Sequence, residues 1–208
     1  MAFRKETVSR INKKLRKLLL DYPSRLYYAA TLGHFPISSI IDRPLRIDGS
    51  RNIWIGEGVF VQYKTWLAAE PLTGLPNCEL VIGDGAVIGH FNHIYATSSI
   101  VIERDALLAD RVYISDNQHN YEDIEVPIRK QGVLQKGKVV IGAGCWIGEN
   151  VSIIGASVGR QSVIGANSVV TRSIPDYCVA VGAPARVVKR YDFDKGIWRK
   201  VDSEGNIV

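Results

Sequence analysis

The chain has 208 residues, 46% hydrophobic and 23% charged, a composition of one ordinary folded domain that excludes a disordered or membrane-embedded chain. No apolar run reaches the roughly 20 residues of a spanning helix, and the N-terminus is too charged to hold the apolar core of a secretory signal. The net charge of +5 is unevenly spread: residues 1–25 carry eight Lys/Arg against Glu6 and Asp21, so the other 183 residues sum to −1. A basic body is excluded; a basic arm is not.

In chain order, the first element is a basic amphipathic helix expected over about 4–20, its apolar side Val8, Ile11, Leu15, Leu18 and Leu19. A Pro-bounded connection follows, and residues 1–42 form an arm. Val and Ile total 45 residues and Leu plus Met only 15, with three Leu after residue 80. That bias argues for strands and against a helical bundle. The three cysteines, Cys78, Cys145 and Cys178, are odd in number and widely spaced. They make neither a disulfide framework nor a CxxC knuckle, as expected of reduced thiols in a cytosolic protein.

From residue 43 to 174 a six-residue period organises the chain. Its apolar anchors fall in threes: Ile55, Val61, Leu67; Ile82, Ile88, Ile94; Ile102, Leu108, Ile114; Ile141, Ile147, Ile153; Val158, Ile164, Val170. Two further positions confirm the register. Gly follows seven of the fifteen anchors directly, and a small Ala, Val, Thr, Ser or Cys stands four after eleven of them. Alternation along short strands puts anchor and small residue into one core. Three strands with tight corners make a triangular coil of about 18 residues, and about five coils stack into a prism. The glycines are expected at corners whose backbone angles a β-carbon would penalise. An ordinary sandwich of alternating strands is disfavoured, because its turns recur every 8–12 residues.

Breaks in the period mark loops. Residues 68–80 leave the pattern, a short slip separates Ile94 from Ile102, and 115–138 form a long polar excursion. Loops on a rigid scaffold are where binding and catalysis concentrate. Residues 175–208 read as a Pro-containing turn, a basic segment and an irregular tail from about 191.

These repeats, with CWIGENV (145–151), VIGANSVV (163–170) and VGAPARVVKR (181–190), resemble the hexapeptide-repeat acyltransferases over roughly residues 50–190. The closest likeness is to sugar and polysaccharide O-acetyltransferases. The resemblance implies a mainly β protein, a left-handed parallel β-helix, outside the usual right-handed crossover rule. It also implies a homotrimer with acetyl-CoA bound in a groove between neighbouring prisms. Two departures stand out: SIIGASVG between the fourth and fifth coils is one residue shorter than the family's turn, and 68–80 matches no family motif.

The chemistry asks for few groups. A sugar hydroxyl must lose its proton while attacking a thioester, which calls for a base of near-neutral pKa. A thiolate leaves readily, so no metal is required, and backbone N–H groups suffice for the oxyanion. His119, in SDNQHNYED on the long loop, matches the family's catalytic histidine. Asp116, three residues before it, is a candidate to orient the ring, with a backbone carbonyl as the alternative. Asn92 occupies a small-residue position in IGHFNHI and matches a family asparagine at the acceptor; its other reading is a buried amide bonded along the stack. Tyr121, Glu122 and Asp123 are candidate acceptor contacts. For CoA, the resemblance points to Trp146, Ala166, Thr171, Arg172 and Arg186, with Lys189 and Arg190 extending a basic cluster suited to phosphates.

Rival readings are N-acetylation of an amino sugar, acylation of a small drug or amino acid, a carbonic-anhydrase-type metalloenzyme using His90, His93 and His119, and a non-catalytic subunit. HxxH on a strand splits the two side chains between opposite faces, against the metal reading. The acceptor is expected to be a sugar or glycan precursor, in the cytoplasm. With no base-stacking face, a nucleic-acid partner is not expected. Two uses remain for the basic arm, packing on a neighbouring subunit, which is favoured, or resting on anionic lipid at the inner face of the membrane.

Overall fold

The structure, a computed structural model, describes residues 22–202 and 205–208. The amphipathic segment expected over 4–20 lies outside the described residues. What is described is mainly β, with one α-helix and three sheets of parallel strands visited in turn.

All fifteen anchors are buried, none more than 1% exposed. They also stack in register. Ile55, Ile82, Ile102, Ile141 and Val158 pair one above another. So do Val61, Ile88, Leu108, Ile147 and Ile164, and Leu67, Ile94, Ile114, Ile153 and Val170. Each member of a sequence triplet thus belongs to a different sheet, and the chain winds once round all three faces per coil. A repeat of this kind buries its apolar edges only against its neighbours. Each fully buried Ile or Val contributes about 1.5–3 kcal/mol relative to exposure.

The first face holds parallel strands Ile40–Ile41, Phe60–Val61, Val87–Ile88, Leu107–Leu108, Trp146–Ile147, Val163–Ile164 and Cys178–Val181. The second holds Arg46–Asp48, Trp66–Ala69, His93–Ala96, Tyr113–Ser115, Ser152–Ile154 and Val169–Val170. Ile53–Ile55, Glu79–Ile82, Ser99–Ile102 and Val139–Ile141 make the third, extended by bridges at Val158 and Ile174.

The repeat glycines have a different cause from the one the sequence suggests. Gly56, Gly83, Gly89, Gly142, Gly148 and Gly159, each directly after an anchor, do not adopt positive φ. A β-carbon there would meet the next coil instead: at Gly142 it would lie 2.4 Å from the Arg160 amide nitrogen. Close approach of backbones excludes the side chain. The left-handed corner falls two residues later; it is a glycine at Gly58, Gly85 and Gly144, and elsewhere is taken by Lys64, Phe91, Asp105, Arg111, Asn150, Gln161 and Asn167. Left-handed geometry costs a non-glycine residue roughly 1–2 kcal/mol. Here it turns corner amides toward the preceding coil, as Phe91 N–H to Tyr63 O (3.1 Å) and Arg111 N–H to His90 O (2.9 Å) show.

Both ends differ from expectation. The supposed N-terminal connection contains an α-helix, Tyr22–Thr31. Pro23 sits in its first turn, where a missing N–H costs nothing and the fixed φ suits a helix. Tyr28 from this helix, with Leu32 and Phe35 just beyond it, caps the open end of the core. At the other end the supposed irregular tail forms an antiparallel hairpin, Arg186–Asp192 with Ile197–Lys200, added to the first face. Cys145 and Cys178 are buried and Cys78 is partly so; all three are free.

Candidate active site

The excursion after Ile114 begins at a fully buried carboxylate. Asp116 accepts N–H bonds from Thr97 (2.8 Å), Ser98 (2.7 Å) and Ser99 (2.9 Å), and others from the Thr97 hydroxyl and Asn117 Nδ2. Burial by itself pushes its pKa up. The bonds from Asn117, Thr97 and Ser98 outweigh that and hold the carboxyl below its ordinary value. From this knot the chain runs into a strand, Asn117–His119, paired antiparallel with Val133–Gln135. Gln135 closes the base, donating to Asp116 O (2.8 Å) and accepting from Thr73 (3.0 Å) in the 68–80 break. The two irregular segments therefore brace one another.

His119 stands at the far end of that strand, exposed and opposite Val133. None of the Asp116 bonds reaches it. The spacing of three suggested an oriented dyad, but the carboxylate turns into the coil, where three backbone amides compete for it more strongly. Asp116 holds the base of the hairpin instead of the His119 ring. Tyr121, Glu122 and Asp123 follow on the exposed turn.

Asn92 is equally occupied. It is buried, with Nδ2 donating to Gly89 O (2.9 Å) and Ala109 O (3.0 Å), while Oδ1 accepts the Val112 N–H. All its bonds are to backbone of its own and the adjoining coil, the architectural one of its two readings.

The CoA candidates divide by face. Trp146 lies outward on the first face, between Leu107 and Val163. That outward column continues through Val179 to Lys189, and Arg186 stands beside it opposite Val181. Ala166, Thr171 and Arg172 are exposed on the last coil. Arg190 does not join them. It pairs with buried Cys178, and consecutive strand residues project to opposite sides. Arg190 therefore covers the end of the core and leaves the expected cluster of four cations, of which Arg186 and Lys189 share the outer side of the first face while Arg172 follows the last strand of the second.

The remaining histidines are separated. His90 lies at a corner beside Asp110 (Nδ1 to Oδ1 3.2 Å), and His93 is on the second face. There its ring stacks on Trp66 and takes edges from Tyr95 and Tyr113. Sequence reasoning missed this cluster, although aromatic residues just before an anchor at 66, 93 and 113 were its signal. Among the described residues no three His, Cys, Asp or Glu side chains gather as metal ligands.

A family model described as the hexapeptide repeat of succinyl-transferase matches residues 138–172. A probable acetyltransferase of Mycobacterium tuberculosis, Rv3034c, is 46% identical over 111 residues, 53% of this chain and 37% of that protein. The putative lipopolysaccharide biosynthesis O-acetyl transferase WbbJ of Escherichia coli is 34% identical over 128 residues, 58% of this chain and 65% of that protein. The chain thus matches less than two thirds of the length of these relatives. Among solved structures, AntD, an N-acyltransferase from Bacillus cereus in complex with dTDP and 3-hydroxybutyryl-CoA, shares the fold. Its TM-score is 0.68 at 19% identity, covering 84% of this chain and 92% of that one. Repeat, register and relatives agree: over its repeat region the chain is similar to the hexapeptide-repeat acyltransferases.

Proposed function

We propose that this protein transfers an acetyl group from acetyl-CoA to a hydroxyl of a sugar or polysaccharide precursor, with His119 as general base. The observation that carries the reading is the placement of His119: an exposed imidazole on a two-stranded arm whose base is locked by Asp116 and Gln135. An imidazole held on a rigid arm and open to a ligand is what proton removal from a hydroxyl requires. The relationship to WbbJ, named as an O-acetyl transferase, supports a hydroxyl acceptor.

The arm leaves the second face, whereas Trp146, Arg186 and Lys189 stand on the first. We assign the donor groove to the space between copies of a homotrimer, where His119 of one chain meets the first face of the next. Trp146 then walls the thioester, and Arg172, Arg186 and Lys189, with Ala166 and Thr171 beside them, hold the phosphate end of CoA. His119 takes the hydroxyl proton as the oxygen attacks the thioester carbonyl. When the tetrahedral intermediate collapses, the C–S bond breaks, and the imidazolium returns the proton to the CoA thiolate. Asn92 and Asp116 act through the backbone, fixing the corner and the hairpin base.

The domain reading that goes with this is an arm over 1–42, a left-handed β-helix of about five coils over 43–174 with the catalytic loop at 115–138, and a C-terminal segment over 175–208. Acetyl-CoA and activated sugars place the reaction in the cytoplasm. No described helix is long and apolar enough to cross a membrane.

The test is thiol release from acetyl-CoA against a panel of glycans and nucleotide sugars, with mass analysis of the product before and after mild alkali. An alkali-labile acetyl ester supports the proposal. An alkali-stable amide moves the reading to N-acetylation, and no thiol release with any acceptor removes the enzymatic reading.

A further inference from the structure

We infer that the helix-capped end of the prism is a docking surface for an anionic lipid bilayer. The helix Tyr22–Thr31 turns Tyr28 into the core, and its other side is left in water. That other side is apolar: Tyr22, Leu26 and Tyr27 are 53%, 54% and 63% exposed, and Pro23, Ala29 and Ala30 are exposed with them. Ile37, 51% exposed, extends the surface beyond the helix, tied to it by the Arg25 Nη1 bond to Ile37 O (2.7 Å). The helix sequence, YPSRLYYAAT, contains no carboxylate.

Exposed apolar surface of this kind at one end of a water-soluble fold marks an interaction site, and charge selects the occupant. Residues 1–25 carry eight Lys/Arg against two carboxylates. The remaining 183 residues sum to −1, so the body of a second copy has no compensating acidic excess, and two arms of +6 repel each other. An anionic bilayer answers both halves. Lys and Arg lie at the headgroups, while Tyr, Leu and Ile enter the boundary with the acyl chains. In sequence the cations of residues 1–21 directly precede the described helix Tyr22–Thr31. The surface lies at the opposite end of the prism from the C-terminal hairpin that carries Arg186 and Lys189, and the inference does not depend on which acceptor is acetylated.

The experiment is flotation of the full chain with vesicles of pure phosphatidylcholine or of phosphatidylcholine with about 30% phosphatidylglycerol, at low and high salt. The wild type is expected to bind the anionic vesicles at least about tenfold more strongly, with the preference falling as salt rises. The double variant Leu26→Glu/Tyr27→Glu, whose sites are exposed, is expected to lose about tenfold in binding at unchanged thermal midpoint and unchanged acetyl transfer to a soluble acceptor. If that variant does not fold, Lys13→Glu/Lys14→Glu/Lys17→Glu reads out the electrostatic half, with loss of the anionic preference expected. Equal binding to both vesicle types, or undiminished binding by the folded variants, overturns the inference. So does a fall in molar mass in the Leu26/Tyr27 variant, which would mean that a second copy covers this face.

Discussion

The indole of Trp66 and the imidazole of His93 lie parallel on the outer side of the second face, with ring centres 4.1 Å apart and 6° between their planes. The two residues are register partners on adjacent strands, so the stack is set by the coil itself. Tyr113, the partner on the next coil, meets the imidazole edge-on at 5.3 Å.

A pH dependence follows from that burial, which lowers the His93 pKa below its ordinary value of 6.5. A group depressed in the folded state gives stability that is present above the unfolded pKa and lost as pH falls through the folded pKa. The thermal midpoint is therefore expected to decline as pH is lowered from neutrality into the acid range below 6.5. His93→Phe, which keeps a stacking ring without a titrating nitrogen, is expected to flatten that slope. Midpoints by calorimetry from pH 8 to pH 5 in both proteins check this; parallel slopes would refute it.

Asp116→Asn addresses the loop anchor. The carboxylate accepts five bonds, three of them from backbone amides, and an amide in its place turns an NH₂ toward donors. The expected cost is about 3 kcal/mol, with turnover lost as the His119 arm loosens. Linkage runs in the acid range: the depressed carboxyl contributes stability above the ordinary Asp pKa of 3.8 that is lost as pH falls through its lowered folded value. Denaturant titrations near pH 6 and pH 3 should show the difference between wild type and variant shrinking at the lower pH.

Two glycines separate the two reasons for glycine in this fold. Gly142 lacks positive φ but faces the Arg160 backbone at 2.4 Å, whereas Gly58 has φ of +65° and open space around it. Gly142→Ala is expected to cost about 2–3 kcal/mol through separation of two coils, against about 1 kcal/mol for Gly58→Ala. Equilibrium unfolding of both variants decides the order. A reversal would restore corner geometry as the reason for the repeat glycines.

The fifteen anchors were legible because side-chain period and burial are the same physical fact in a coil: every sixth residue faces the core, and only Ile, Val or Leu fills it. The excursion at 115–138 was legible as a break in that period. What happens inside the break was not. Asp116 and His119 are close in sequence, but three backbone N–H groups from the coil below claim the carboxylate, and those amides belong to residues 97–99. The glycine reason was hidden because contact between coils and left-handed φ call for the same residue type. At 186–192 the strand carries Arg and Lys on alternate sides, so composition alone did not separate Lys189 from Arg190.

The proposed placement of the site between copies yields the last prediction. His119→Ala alone is expected to lose about 10²–10⁴-fold in rate while CoA binding persists. Trp146→Glu, a charge set on the proposed donor wall, is expected to lose CoA binding instead. If His119 of one chain works against Trp146 of its neighbour, random co-assembly of the two variants regenerates sites in which both groups are native. About one quarter of sites qualify at equal mixing, since each of two independent chains supplies the native residue half the time. Unfolding and refolding the mixed variants together, then assaying thiol release, measures this. Recovery near that fraction supports a shared site, whereas activity no greater than the sum of the separate variants places His119 and Trp146 on the same chain or in no common site at all.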